Sequence, residues 1–186
     1  METNDKPKIL VEKDGMKFVK LEKNKYNLSF SIENKNINLE PLINFELIKL
    51  IYELNPDIYE KVILHKNSET EAKITLLIKH FFNDLGFPQK YSHMGLQKNI
   101  TEQGINFTGA SIFSEKPSYF PDEVELLPIQ KLNIDCVVIT QHKVNFNCVI
   151  IFHSILTIPP FIEKIIGIIV NKVFNRLKTF IENINI

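Results

Sequence analysis

Apolar and polar residues alternate along much of this chain, and the alternation is clearest near the C-terminus. Leu132, Ile134, Cys136 and Val138 alternate with Asn133 and Asp135, and Val144, Phe146, Cys148, Ile150 and Phe152 alternate with Asn145, Asn147 and His153. A period of two is that of a half-buried antiparallel strand, so residues 132–141 and 144–154 are predicted to pair. The apolar residues sit at even positions on both strands, so facing residues must sum to an even number. A three-residue loop, Gln141-His142-Lys143, satisfies this and sets Cys136 opposite Cys148, Ile134 opposite Ile150 and Val138 opposite Phe146. A two-residue loop would oppose an apolar row to a polar one, and His-Lys is poor chemistry for such a turn.

After Pro159-Pro160 the period changes to that of a helix running to about residue 184. Ile162, Ile166, Ile169, Val173, Leu177, Phe180 and Ile184 fall along one side, with Lys164, Asn171, Asn175, Lys178 and Glu182 opposite. Upstream, Asp14-Gly15 between two apolar runs predicts a hairpin. Tyr26, Leu28, Phe30 and Ile32 predict a strand. Leu42, Phe45, Ile48 (or Leu47) and Ile51 or Tyr52 have helical spacing over residues 41–54, closed by Asn55-Pro56, and residues 57–59 allow one further turn. Val62 and Leu64 begin the next strand. Ala72, Ile74, Leu76 and Ile78 follow as another, with the β-branched content favouring strand over helix. Residues 94–100 and 105–113 complete the strands, and Val124 to Leu127 are candidates for pairing at a sheet edge. The segment 114–130, with Pro117, Pro121 and Pro128, is the longest irregular stretch. With no internal repeat or linker, the organisation predicted is a flexible tail over 1–7 and a single α+β domain over 8–186.

The order hairpin, strand, helix, six antiparallel strands, long helix resembles the START-like or helix-grip superfamily over residues 26–184. That group includes lipid-transfer domains and polyketide cyclases. The Pro159-Pro160-Phe161 start of an apolar helix is similar to that group's C-terminal end. The resemblance implies a curved antiparallel sheet gripping the helix, with a cavity between them for a hydrophobic small molecule or lipid. It carries no catalytic motif, since the superfamily shares none. On this reading the cavity is lined by Phe30, Ile74, Leu76, Phe107, Phe146 and Ile150 from the sheet and Ile162, Ile166, Ile169 and Val173 from the helix. The loops around Phe87-Pro88 and 114–130 would border its mouth. Residues 158–167 and 171–174 also resemble text in uncharacterised proteins of giant DNA viruses, a likeness that implies no activity.

Composition removes several alternatives. With 22 basic and 22 acidic residues the net charge is zero, and Arg176 is the sole arginine, so nothing favours a nucleic-acid partner. The longest uninterrupted apolar run within residues 146–170 is 165–170, far short of the roughly 20 residues of a membrane span. Peripheral membrane contact through Phe161 and its neighbours stays open. The charged start, Met-Glu-Thr-Asn-Asp-Lys, lacks a signal core, which predicts an intracellular protein with reduced cysteines. Sparse alanine and abundant Ile, Asn and Lys fit an AT-rich genome, as in many large DNA viruses.

Candidate chemistry is thin. The five histidines show no metal spacing. His80 shares the parity of Ile74, Leu76 and Ile78, which allows either a polar group inside a pocket or a hydrogen-bonded strand-end histidine. Inward Ser111 and Thr140 are the other polar candidates. The acidic cluster Asp122, Glu123 and Glu125 reads as a solvated loop. No cofactor motif occurs, and the balance leans away from an enzyme. The alternative to a ligand carrier is a structural or interaction protein of a large DNA virus, whose core is full and whose working surface is the outer sheet face around Leu77, Phe81, Val149 and Ile151.

Overall fold

In the computed structural model, which describes residues 6–81, 83–113 and 116–185, the elements follow the predicted order. They are β1 (Lys8–Lys13), β2 (Met16–Glu22), β3 (Lys25–Glu33), α1 (Phe45–Glu53), β4 (Tyr59–Lys66), β5 (Glu71–Ile78), β6 (Lys90–Thr101), β7 (Gly104–Ser111), β8 (Glu125–Leu126), β9 (Ile129–Thr140), β10 (Lys143–Phe152) and α2 (Pro160–Glu182). Nine strands form one antiparallel path, β1-β2-β3-β10-β9-β7-β6-β5-β4, and β8 pairs with β6 in parallel. The fold is α+β, a curved sheet gripping the long C-terminal helix. The tail expected over residues 1–7 lies outside the described residues apart from Lys6 and Pro7.

Local chemistry explains the hairpins. Asp14 and Gly15 both have positive φ, 55° and 73°, and form the two-residue turn between paired Lys13 and Met16. Asn24, at φ 58°, helps close the β2–β3 turn. Along β3 the even-numbered residues Tyr26, Leu28, Phe30 and Ile32 are all buried, as their alternation predicts. Phe30 faces Phe146 across β3–β10, with rings stacked 4.8 Å apart. Breaks in register at Ile9/Val11, Lys20/Glu22, Tyr59/Lys61 and Ile151/Phe152 are irregularities of the bulge type, which bend and twist a sheet.

The β9–β10 register differs from the expected one. Cys136 faces Phe146, Ile134 faces Cys148 and Val138 faces Val144. Facing residues still sum to an even number, but the pairing is displaced by two. The loop has two residues, Gln141 and His142, between paired Thr140 and Lys143, and the register shifts between Lys143 and Val144. Ile139 has no partner there. That extra residue restores the matching of apolar rows that a two-residue loop alone would have spoiled.

The helices also depart from expectation at their ends. Residues 40–42 form a short 3-10 turn, and α1 starts only at Phe45, capped by Asn44, whose side chain accepts from the Glu46 and Leu47 amides. Leu42 is therefore partly exposed instead of joining the buried stripe. Residues 56–58 make a turn, and Tyr59 already belongs to β4. In α2 the buried residues are Ile162, Glu163, Gly167, Asn171, Val173, Leu177 and Ile181. Asn171, expected on the outer side, is buried, whereas Phe180, expected inside, is 47% exposed. The reason is that α2 has two partners. One side meets the sheet interior and another meets the β1–β2 hairpin, where a side chain at Gly167 would crowd Val11 and Phe18.

Candidate functional site

Most of the predicted residues lie in or against the apolar core between sheet and α2. Phe30, Ile74, Leu76, Phe107, Phe146 and Val173 are buried in one cluster. Ile150, Ile166 and Ile169 pack against it while keeping some exposure. Ile162 is buried in the first turn of α2. Phe45 of α1 meets Phe107 at 5.7 Å between ring centroids, and Phe30 meets Phe174 of α2 at 5.5 Å. The sheet thus offers an apolar floor and α2 an apolar roof. Under the C-terminal part of α2, a gap of about 10 Å³ lies among Ile32, Leu39, Ile43, Leu47, Val144, Phe146 and Ile181, which is room for about one water at most.

Polar groups hold the roof at both ends. At the first end, Glu163 is buried in the first turn of α2, where an acid is favoured by the helix dipole. Its carboxylate accepts from the Tyr26 hydroxyl at 2.7 Å and pairs with Lys20 at 2.8 Å. Burial, and then the neighbouring Glu163, push the Tyr26 phenol well above its ordinary range, so it stays a donor. Next along the helix, Asn171 donates to the Lys13 carbonyl. At the far end, buried Asn34 donates to the carbonyls of Ile181 and Ile184, and Lys178 donates to Ser31. In the middle, Asn55 donates to the carbonyls of Ile51 and Val173 and accepts from Arg176, which with Lys172 also holds Asp57. The sole arginine, on α2, therefore clamps the turn between α1 and β4 to α2.

The other sequence candidates resolve individually. His80 is exposed beyond the end of β5, with its Nε2 2.6 Å from the Phe87 carbonyl oxygen, so it is not an interior group. Thr140 is exposed in the β9–β10 corner and accepts from the His142 amide. Ser111 does face inward, but its hydroxyl donates to the Leu127 carbonyl and accepts from the Ile129 amide, securing the end of the long connection. Asp122 and Glu123 are exposed, and Glu125 pairs with Lys90 at 2.6 Å. Among the described residues no cluster of three or more metal-ligating side chains occurs, and no helix is long and apolar enough to cross a membrane.

The outer face is partly covered as well. Phe120 and Val124 of the long connection pack on the outward-facing Leu77 and Tyr91. Near the tip of the β1–β2 hairpin, where β2 begins against Ser29, an open groove of about 620 Å³ runs beside Lys17, Ser29, Ser31, Asn145 and Asn147. Most of that lining belongs to the outward rows, but the groove also touches Met16, Phe30 and Phe146, the last two being residues predicted to line the interior. Sequence reading missed Glu163, Lys20 and Tyr26 as a unit, because nothing in local spacing joins positions so far apart. It also missed Ser92, which shares the even parity of inward Met94 and Leu96 and was legible on that ground.

No protein-family model and no curated protein matches the chain. Solved structures do. The human StarD13 (DLC2) lipid transfer and protein localization domain aligns over 94% of this chain and 88% of that one, at 7% identity and a TM-score of 0.68. A STAR-related lipid transfer protein from Xanthomonas axonopodis aligns over 95% and 98%, at 12% identity and a TM-score of 0.65. Human STARD10 aligns over 96% and 74%, at 7% identity and a TM-score of 0.66. At such identities the likeness is one of fold. The chain has the START-like helix-grip fold.

Proposed function

We propose that the protein holds a hydrophobic small molecule or lipid between the concave face of the sheet and α2. The observation that carries this reading is an almost wholly apolar inner face beneath a helix-grip roof, in a fold shared along nearly the whole chain with lipid-transfer proteins. The lining residues are those named above, Phe30, Ile74, Leu76, Phe107, Phe146, Ile150, Ile162, Ile166, Ile169 and Val173. Entry requires the roof to move, because the floor side chains are nearly all out of contact with water. The N-terminal half of α2 moves together with the β1–β2 hairpin to which Asn171 ties it, releasing Glu163 from Tyr26. It keeps Ile166, Ile169 and Val170 only part-buried and exposes Phe161, Ile165 and Ile168. An exposed apolar row of that kind suits contact with a membrane surface during loading. Native mass spectrometry of the protein incubated with lipid vesicles tests the reading. Retained lipid in a defined ratio is expected; protein that stays ligand-free with every lipid class overturns it.

A second reading is favoured by the tightness beneath the C-terminal part of α2, where only about 10 Å³ is open. In it the core is full and the protein, a viral component, works by protein contact on its outer face around Phe81, Val149 and Ile151; Leu77, also expected there, is already buried under Phe120 and Val124. Ligand-free protein in the same experiment, with unchanged hydrogen exchange in α2, supports this alternative.

A further inference from the structure

Ser92 is the one buried side chain among the described residues whose polar atom has no hydrogen-bond partner. It is 2% exposed. It lies in the inward row of β6, paired with Leu76 of β5, close to the end of the sheet at which β10 stops and α2 begins. The next inward hydroxyl, Ser111 opposite Met94, is occupied by its bonds to Leu127 and Ile129. A hydroxyl shut away from water with no partner is destabilising, and alanine at this place would avoid the penalty. Such a group is accounted for when something else in the interior supplies its partner.

We propose that the Ser92 hydroxyl is the polar anchor of the interior ligand, and that this ligand is a neutral amphiphile with a hydroxyl or carbonyl head. The inference deepens the ligand-carrier function above and rests on it. The head is neutral because the interior has no charge to offer. Among the described residues no lysine or arginine is buried, and the one buried carboxylate, Glu163, is already held by Lys20 and Tyr26. A carboxylate or phosphate beside Ser92 would lose its hydration in exchange for a single neutral hydrogen bond. A serine hydroxyl both donates and accepts, which suits an alcohol, an ester or a ketone.

The test uses the full chain, freed of lipid, with hexadecanol, methyl palmitate, ionised palmitate and hexadecane delivered from cyclodextrin and binding read by native mass spectrometry and calorimetry. Hexadecanol and methyl palmitate are expected to bind, and palmitate to bind at least about tenfold more weakly. Ser92→Ala is expected to weaken hexadecanol binding by about 3- to 10-fold, the worth of one neutral hydrogen bond, and to leave hexadecane binding unchanged. Ligand-free Ser92→Ala is expected to melt no lower than wild type, which separates loss of an anchor from loss of fold. Equal hexadecanol affinity in wild type and Ser92→Ala overturns the anchor while the carrier function stands. Palmitate binding as tightly as hexadecanol overturns the neutral head. Failure of all four probes to bind either protein overturns the inference together with the function beneath it.

Discussion

The Tyr26 hydroxyl donates to the Glu163 carboxylate at 2.7 Å, tying the inward row of β3 to the first turn of α2. Lys20 supplies the neutralising charge from β2. Tyr26→Phe is expected to cost about 1.5–3 kcal/mol, the range for a hydrogen bond to a charged group. Lys20→Met is expected to cost more, roughly 3–5 kcal/mol, because it leaves the buried carboxylate without its counter-charge. Urea unfolding of both variants measures the order, and a larger loss from Tyr26→Phe would show that Lys20 is not what neutralises Glu163.

Asp57 gives the acid response a definite source. Hydrogen bonds from Arg176, then from Lys172, hold its carboxyl well below the ordinary carboxylate value of 3.8. A depressed carboxylate contributes stability that is fully present above its unfolded-state pKa and is lost as pH falls through the folded one. Asp57→Asn should therefore be less stable than wild type at neutral pH. The difference should shrink as pH drops below about 4. A gap that stays constant down to acid pH, in denaturation series across that window, would remove Asp57 as a source of acid sensitivity.

The two faces of α2 separate cleanly by substitution. Val173 is 2% exposed, so Val173→Asp is expected to cost roughly 3–5 kcal/mol by burying an unpaired charge. Lys164 is exposed, and Lys164→Asp is expected to change stability by no more than about 0.5 kcal/mol. Lys178 is unsuitable as the surface control suggested by periodicity, since it bonds to Ser31 and pairs with Glu182. Thermal melts in parallel decide whether the faces are assigned correctly.

Both cysteines are free and buried, and burial pushes their thiols up, Cys136 to about 12 and Cys148 higher still. Neither thiol is expected to react with Ellman's reagent in the native protein, because the thiolate is the nucleophile. Both are expected to react after denaturation without any reductant. Rapid labelling of the folded protein would show that the β9–β10 ribbon opens readily.

The strands were largely legible because each buries one face. The alternation through Tyr26, Leu28, Phe30 and Ile32, or Ala72, Ile74 and Leu76, states which side meets the core, whatever the partner is. The even-sum rule for β9 and β10 held for the same reason. Alternation is blind to a shift of two, however, and only the chain's path through the corner, with Ile139 left over, decided that Cys136 meets Phe146. The chemistry of the candidate site was legible as an apolar lining and no further.

Helix periodicity names an apolar stripe but not how many neighbours a helix has. Packed against both the sheet and the β1–β2 hairpin, α2 buries Gly167 and Asn171 on a second seam that hydrophobicity does not mark. A buried asparagine there is tolerable only because the Lys13 carbonyl, brought by tertiary folding, accepts a hydrogen bond from its amide. The Tyr26–Glu163–Lys20 cluster arises likewise. The sequence by itself determined the order of elements and the inward row of most strands, since these follow from local burial of one face. Tertiary structure decided which distant polar groups meet, because a hydrogen-bond partner is a matter of position in space and leaves no periodic trace along the chain.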